Sequence, residues 1–236
     1  VTPDELCPSA PDGDLRSYGR RRGRKPSARQ AALWSEALPR RAVDPGSMPP
    51  SRIADLFPVP VTEVWLEIGF GGGEHLVWQA SHRPAVGLIG CEPFEDGVVK
   101  ALAAAEERGL ANLRLHAGDA RPLLRWLPEA SLGRAFVLFP DPWPKKKHRK
   151  RRLIARPFLD LLARVLRPGA ELRLATDIAD YADEMREAGG SHTAFRLRSE
   201  TGGGPEERGP DWPVTRYEEK ARAAGRPARF FRFERL

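Results

Sequence analysis

The chain of 236 residues carries 39 Lys and Arg against 32 Asp and Glu, a formal net charge of +7, with 41% hydrophobic and 30% charged residues. That balance excludes a membrane-embedded or wholly disordered chain: no run approaches the roughly 18 apolar residues of a transmembrane helix, and the start lacks a signal-peptide core. Two cysteines, Cys7 and Cys91, exclude a disulfide framework or a cysteine zinc site and imply a reducing, cytoplasmic setting.

In chain order, residues 1–30 mix Pro, Gly, Asp and Arg without apolar periodicity and read as an arm, with RSYGRRRGRKPSAR (16–29) holding seven Lys/Arg and no acid. A short helix over 28–37 and a Pro-rich linker over 39–50 complete an N-terminal segment, 1–50, ahead of a folded domain, 51–236. From 61, strands and helices alternate. VTEVWLEI (61–68) reads as a buried strand, then come GFGGG and a helix at 74–82. Strands follow at 86–92, 112–119, 134–141 and 170–177, with helices at 94–108 (stopped by Gly109), 120–127, 153–166 and 178–188. The end reads as a strand at 194–200, a Gly/Pro loop at 202–213, a helix at 215–224 and a last strand, pairing antiparallel at a sheet edge. The pattern predicts a doubly wound α/β fold, mostly parallel and Rossmann-like, with an antiparallel edge strand.

In such sheets ligands sit beyond the carboxyl ends of the strands. Five predicted strands end in an acid: Glu67, Glu92, Asp119, Asp141 and Asp177. Each alone reads as a turn former or helix cap, whereas five along one edge read as an acidic rim. Gly69-Phe70-Gly71-Gly72-Gly73-Glu74 carries G-x-G-x-G, with Glu74 in place of the third glycine of a dinucleotide fingerprint. Glu67 beside it suits a cationic amino-acid group, Glu92 suits ribose hydroxyls and Asp119 an adenine amine. Together they describe S-adenosylmethionine.

The second basic run, KKKHRKRR (145–152), holds seven Lys/Arg and no acid. Without it and the 16–29 segment, 25 basic residues face 32 acidic ones, so the positive charge is concentrated in two patches suited to a polyanion. The five histidines show no metal spacing; His148, among cations, suits a phosphate contact.

LEIGFGGGEH (66–75), FPDPWPKKKHRKRR (139–152), ATD (175–177) and TRYEEKA (215–221) resemble the bacterial tRNA (guanine-N7)-methyltransferase family. The resemblance runs from about Arg16 to the end and implies a class I methyltransferase fold, S-adenosylmethionine as donor and the variable-loop guanine (position 46) of tRNA as acceptor. It implies cofactor contacts at Glu67, Gly69, Gly71, Glu92, Asp119 and Asp141, with Asp141 also the active-site residue. It implies substrate contacts at Lys145, Asp177, Thr215, Arg216, Tyr217 and Glu218. The run Lys147, His148, Arg149, Lys150, Arg151 and Arg152 would face RNA; no metal and no membrane are implied, and the oligomeric state stays open.

From spacing alone, T-x-x-E at 215–218 is a capping box, and Asp177 a helix cap. Trp143 reads either as a purine-stacking ring or as packing beneath the basic loop. Two other functions fit these residues: a methyltransferase for an exocyclic amine, and an RNA-binding protein with a vestigial cofactor pocket. Guanine N7 carries a lone pair and no proton, so its methylation needs placement and electrostatic support from Asp141 rather than a general base.

Overall fold

The computed structural model describes residues 21, 23, 26–202 and 211–236. Most of the expected arm, and most of the 202–213 loop, lie outside the described residues.

Ser27 caps α1 (Ala28–Ala32) through a reciprocal box with Gln30. A π-helical turn, Leu33–Ala37, joins it to α2 (Leu38–Arg41). The sequence predicts an end before Pro39; the wider turn instead carries the helix through a residue that lacks an N–H and crowds the preceding turn. This helical stretch packs on the sheet that follows. Ala37 and Val43 are buried in the core, and Val43 N donates to Leu115 O at 2.9 Å.

Seven strands form one sheet in the order β3-β2-β1-β4-β5-β7-β6. They are β1 (Glu63–Ile68), β2 (Val86–Cys91), β3 (Leu113–His116), β4 (Leu132–Leu138), β5 (Leu166–Thr176), β6 (Phe195–Gly202) and β7 (Arg229–Arg235). β1 to β5 pair in parallel, as their continuous apolar runs predict. The last two strands form the antiparallel edge that was expected, with β7 between β5 and β6. β5 opens four residues earlier than expected, because Leu166 pairs with Leu132 before a register shift.

Helices α3 (Glu74–His82) and α4 (Glu95–Glu107) cover one face; α5 (Ala120–Trp126), α6 (Arg156–Val165) and α7 (Ala179–Gly190) cover the other. Strand alternation divides the core accordingly: Leu66, Ile68, Ala135 and Val137 join one layer, Trp65, Phe136 and Leu138 the other. The last helix, α8 (Arg216–Ala223), buries only Glu218 and Ala221. The strand order reverses between β1 and β4, so a crevice opens at their carboxyl ends.

Candidate functional site at the strand ends

A cavity of about 430 Å³ lies at that switch point, a size that suits a nucleoside-sized ligand. Its wall runs from Gly69 and Gly71 through Glu92, Phe94 and Gly97 to Asp119 and Arg121, and its rim carries Phe139, Asp141, Trp143, Arg151, Arg216 and Tyr217.

Gly71 has φ 55°, and a Cβ there would sit 2.9 Å from the Tyr217 hydroxyl. A side chain would therefore strain the turn and displace the ring. Gly97, which sequence reading missed, lets α4 press on the loop: a Cβ would collide with the Gly71 carbonyl oxygen. An isolated glycine inside a helical pattern was the available signal.

Glu92 is buried, and its two oxygens accept from Gly71 N at 2.8 Å and Phe94 N at 2.9 Å. Each oxygen keeps a further acceptor site for a ligand hydroxyl. Burial raises its pKa above the ordinary carboxylate value against those two amides, and the charges of Asp141 and Glu67 add to the rise. Cys91 shares this wall. Burial, then the charges of Asp119 and Glu92, push its thiol well up, so it stays protonated. Asp119 caps α5, accepting from Arg121 N at 2.8 Å and pairing with the Arg121 guanidinium at 2.7 Å.

Glu67 is placed differently from the other acids. Alternation along β1 turns it under α3, where it is 3% exposed and 2.7 Å from His75 Nδ1. It is not among the residues that line the cavity.

Asp141 is exposed at the rim, between two residues with left-handed backbone, Phe139 (φ 53°) and Trp143 (φ 41°). Non-glycine residues held there store strain, which concentrates at functional segments. Phe139 stacks nearly parallel to Tyr217, with ring centres 6.5 Å apart. Trp143 lies under the Arg151 guanidinium at 4.9 Å and meets His148 edge-on, which favours packing beneath the basic turn.

The run 146–151 forms a 3₁₀ helix that displays Lys146, Lys147 and Lys150, with Lys145 exposed just before it. Loss of solvent, then Arg151, Lys145 and Lys150, lower the His148 pKa, so its ring is neutral at pH 7. Arg152 does not face RNA, a correction to the sequence reading. It is 2% exposed, donates to Pro142 O, pairs with Asp180 at 3.0 Å and Glu184 at 2.8 Å, and lies over Tyr181. Arg149 is partly engaged, at 2.7 Å from Asp180.

Thr215 caps α8, accepting from Glu218 N at 3.4 Å, as the capping reading predicts. Glu218 is buried and pairs with Arg222. Arg216 bridges to Glu74 at 3.2 Å. Asp177 binds Arg226 at 2.8 Å and lies outside the cavity lining. Among the described residues, no group of three or more His, Cys, Asp or Glu is arranged to hold a metal.

A family model described as a putative methyltransferase matches residues 62–230. A tRNA (guanine-N(7)-)-methyltransferase of Nitrobacter hamburgensis is 44% identical over 232 residues, 98% of this chain and 91% of that protein. Another, from Caulobacter vibrioides, is 48% identical over 216 residues, 90% of this chain and 92% of that protein. Among solved structures, the 16S rRNA methyltransferase KamB superposes with a TM-score of 0.53 at 20% identity, covering 75% of this chain and 89% of that one. That likeness shows the fold.

Proposed function

This chain belongs to the tRNA (guanine-N(7)-)-methyltransferase family, and from that premise we infer how its residues divide the work. It is an S-adenosylmethionine-dependent enzyme that methylates N7 of a guanine in tRNA. The finer reading is that the guanine is position 46, in the variable loop, and that the enzyme works in the cytoplasm. Among the described residues no helix is long and apolar enough to cross a membrane.

The single observation that supports the residue roles is the cavity at the β1/β4 switch point, with Glu92 and Asp119 in its wall and Asp141 on its rim. The glycine turn and the spare acceptor sites of Glu92 and Asp119 fit S-adenosylmethionine, which supplies an electrophilic methyl group on a sulfonium. Glu92 takes the ribose hydroxyls and Asp119 the adenine amine. Gly69 and Gly71 let backbone approach the donor closely, and Glu67 steadies their turn from below through His75.

Asp141, held rigidly between Pro140 and Pro142, accepts from the N–H edge of guanine and offsets positive charge developing in the ring. It removes no proton, because N7 has none. Phe139 and Tyr217 supply an aromatic wall for the base, and Arg216 faces the substrate beside them. Lys145, Lys147, Lys150 and Arg151 meet RNA phosphates, with His148 among them. Asp177, Thr215 and Glu218 hold the α8 end of the site in place; the first does so through Arg226.

Methylation by Asp141→Asn and Asp141→Ala tests this role, with the product nucleotide mapped after reaction with labelled donor. Asn keeps one acceptor, so it retains more single-turnover activity than Ala, and in both the label stays on guanine N7. A wild-type chemical step that needs a deprotonation lost in Asp141→Asn would instead favour an exocyclic-amine acceptor.

A further inference from the structure

Three polar side chains, Glu67, His75 and Gln79, are almost completely buried between α3 and the sheet. Gln79 Nε2 donates to the Asp211 carbonyl at 2.7 Å and lies 3.1 Å from His75 Nε2. Arg83 Nε donates to Gln79 Oε1 at 3.2 Å, which fixes the amide's orientation. A donor therefore faces His75 Nε2, which must accept, and the ring proton sits on Nδ1, directed at Glu67 2.7 Å away. A connected chain of hydrogen bonds thus runs from beneath the glycine loop to the backbone of Asp211.

Asp211 is fastened a second time. Its carboxylate accepts from Arg173 Nη2 at 2.7 Å and Arg134 Nη1 at 3.2 Å. Burial opposes ionisation there, but Arg173, Arg134 and Arg232 overcome it and hold the pKa at about 2. Trp212, 2% exposed, packs edge-on against Phe230 at 5.0 Å, with the Arg173 guanidinium 5.2 Å from its ring. Only Pro213 and Val214 separate this anchor from Thr215, the cap of α8. A helix of eight residues that buries two has little packing of its own to fix its place.

We propose that Asp211 and Trp212 are positioning residues for methyl transfer. They pin the start of α8 to the sheet so that Tyr217 closes over the glycine turn, and the Glu67–His75–Gln79 chain ties that anchor to the turn itself. This rests on the reading that Tyr217 faces the substrate.

The test is a double-mutant cycle on kcat/KM for tRNA, pairing Asp211→Asn, and separately Trp212→Phe, with Tyr217→Ala. Each single variant is expected to lose about 10–100-fold, as misplacement remote from the chemistry does, with the melting temperature and donor Kd recorded alongside. If Asp211 and Trp212 act through α8, adding either change to Tyr217→Ala costs less than about twofold more. A merely structural role would give losses that multiply, or that track the melting temperature, and either result overturns the proposal. Should Asp211→Asn fail to fold around its unmatched arginines, the Trp212→Phe cycle decides. If Tyr217→Ala alone methylates normally, the reading of α8 falls and this proposal with it; if Tyr217→Ala is impaired and the losses multiply, only the positioning role falls.

Discussion

The carboxylate of Glu92 holds the amides of Gly71 and Phe94 while facing the cavity, and burial raises its pKa above 4.5. A carboxyl whose folded pKa exceeds its unfolded value contributes stability that is fully present below the unfolded value. That contribution is lost as the pH rises through the folded value. Donor binding carries the opposite sign, since the ionised form is the stronger acceptor for hydroxyls. Calorimetric titration of S-adenosylmethionine should therefore show affinity falling as the pH drops, with a midpoint above 4.5. Glu92→Gln should flatten that profile, and Glu92→Ala should cost about 1–3 kcal/mol of donor binding. A midpoint at or below the ordinary carboxylate value would remove Glu92 from the ribose contact. Residues elsewhere in the cavity were less legible. The acids at strand ends announce themselves through the alternation of strand and helix. The inward turn of Glu67 depends on which face of β1 meets α3, and a strand buried on both faces conceals that.

At the scale of elements, the basic turn after β4 separates into two populations that a run of like charges cannot distinguish. Lys146, Lys147 and Lys150 are exposed, while Arg152 is buried against α7 by Asp180 and Glu184. Replacing the three lysines with Gln should weaken tRNA binding and lower the slope of log affinity against log salt by about one unit or less for each phosphate contact. Arg152→Ala should leave that slope unchanged and lower the melting temperature. The expected loss is about 1–3 kcal/mol, at the low end for a buried pair because both carboxylates remain partly solvated. Equal slopes for wild type and the lysine variant would make the run a solvated face. The strands themselves were legible, since parallel strands buried on both faces are continuous apolar runs bounded by turns. Asp211 and Trp212 were not: in a Gly/Pro-rich stretch an aspartate reads as a turn former, and no local pattern reveals that four arginines, one just after α3 and the others from β4, β5 and β7, converge on it.

Over the whole molecule, the positive charge is concentrated in two basic segments, 16–29 and 145–152. Glu95 N donates to Arg21 O at 3.0 Å, which places that part of the arm one residue from Phe94 in the cavity wall. Arg151, in the second segment, stands on the rim. With the rest of the chain net negative, the two segments carry the positive charge that suits a polyanion. Replacing Arg20, Arg21, Arg22, Arg24 and Lys25 with Ser should therefore flatten the salt dependence of tRNA binding, and donor affinity, measured alongside, should stay intact. If the two segments hold different phosphates, combining this variant with the three-lysine variant should reduce the salt slope by the sum of the separate reductions. A combined slope no lower than that of either variant would mean that both segments compete for the same phosphates. An unchanged slope in the arm variant alone would leave the 3₁₀ turn to carry the electrostatic grip by itself.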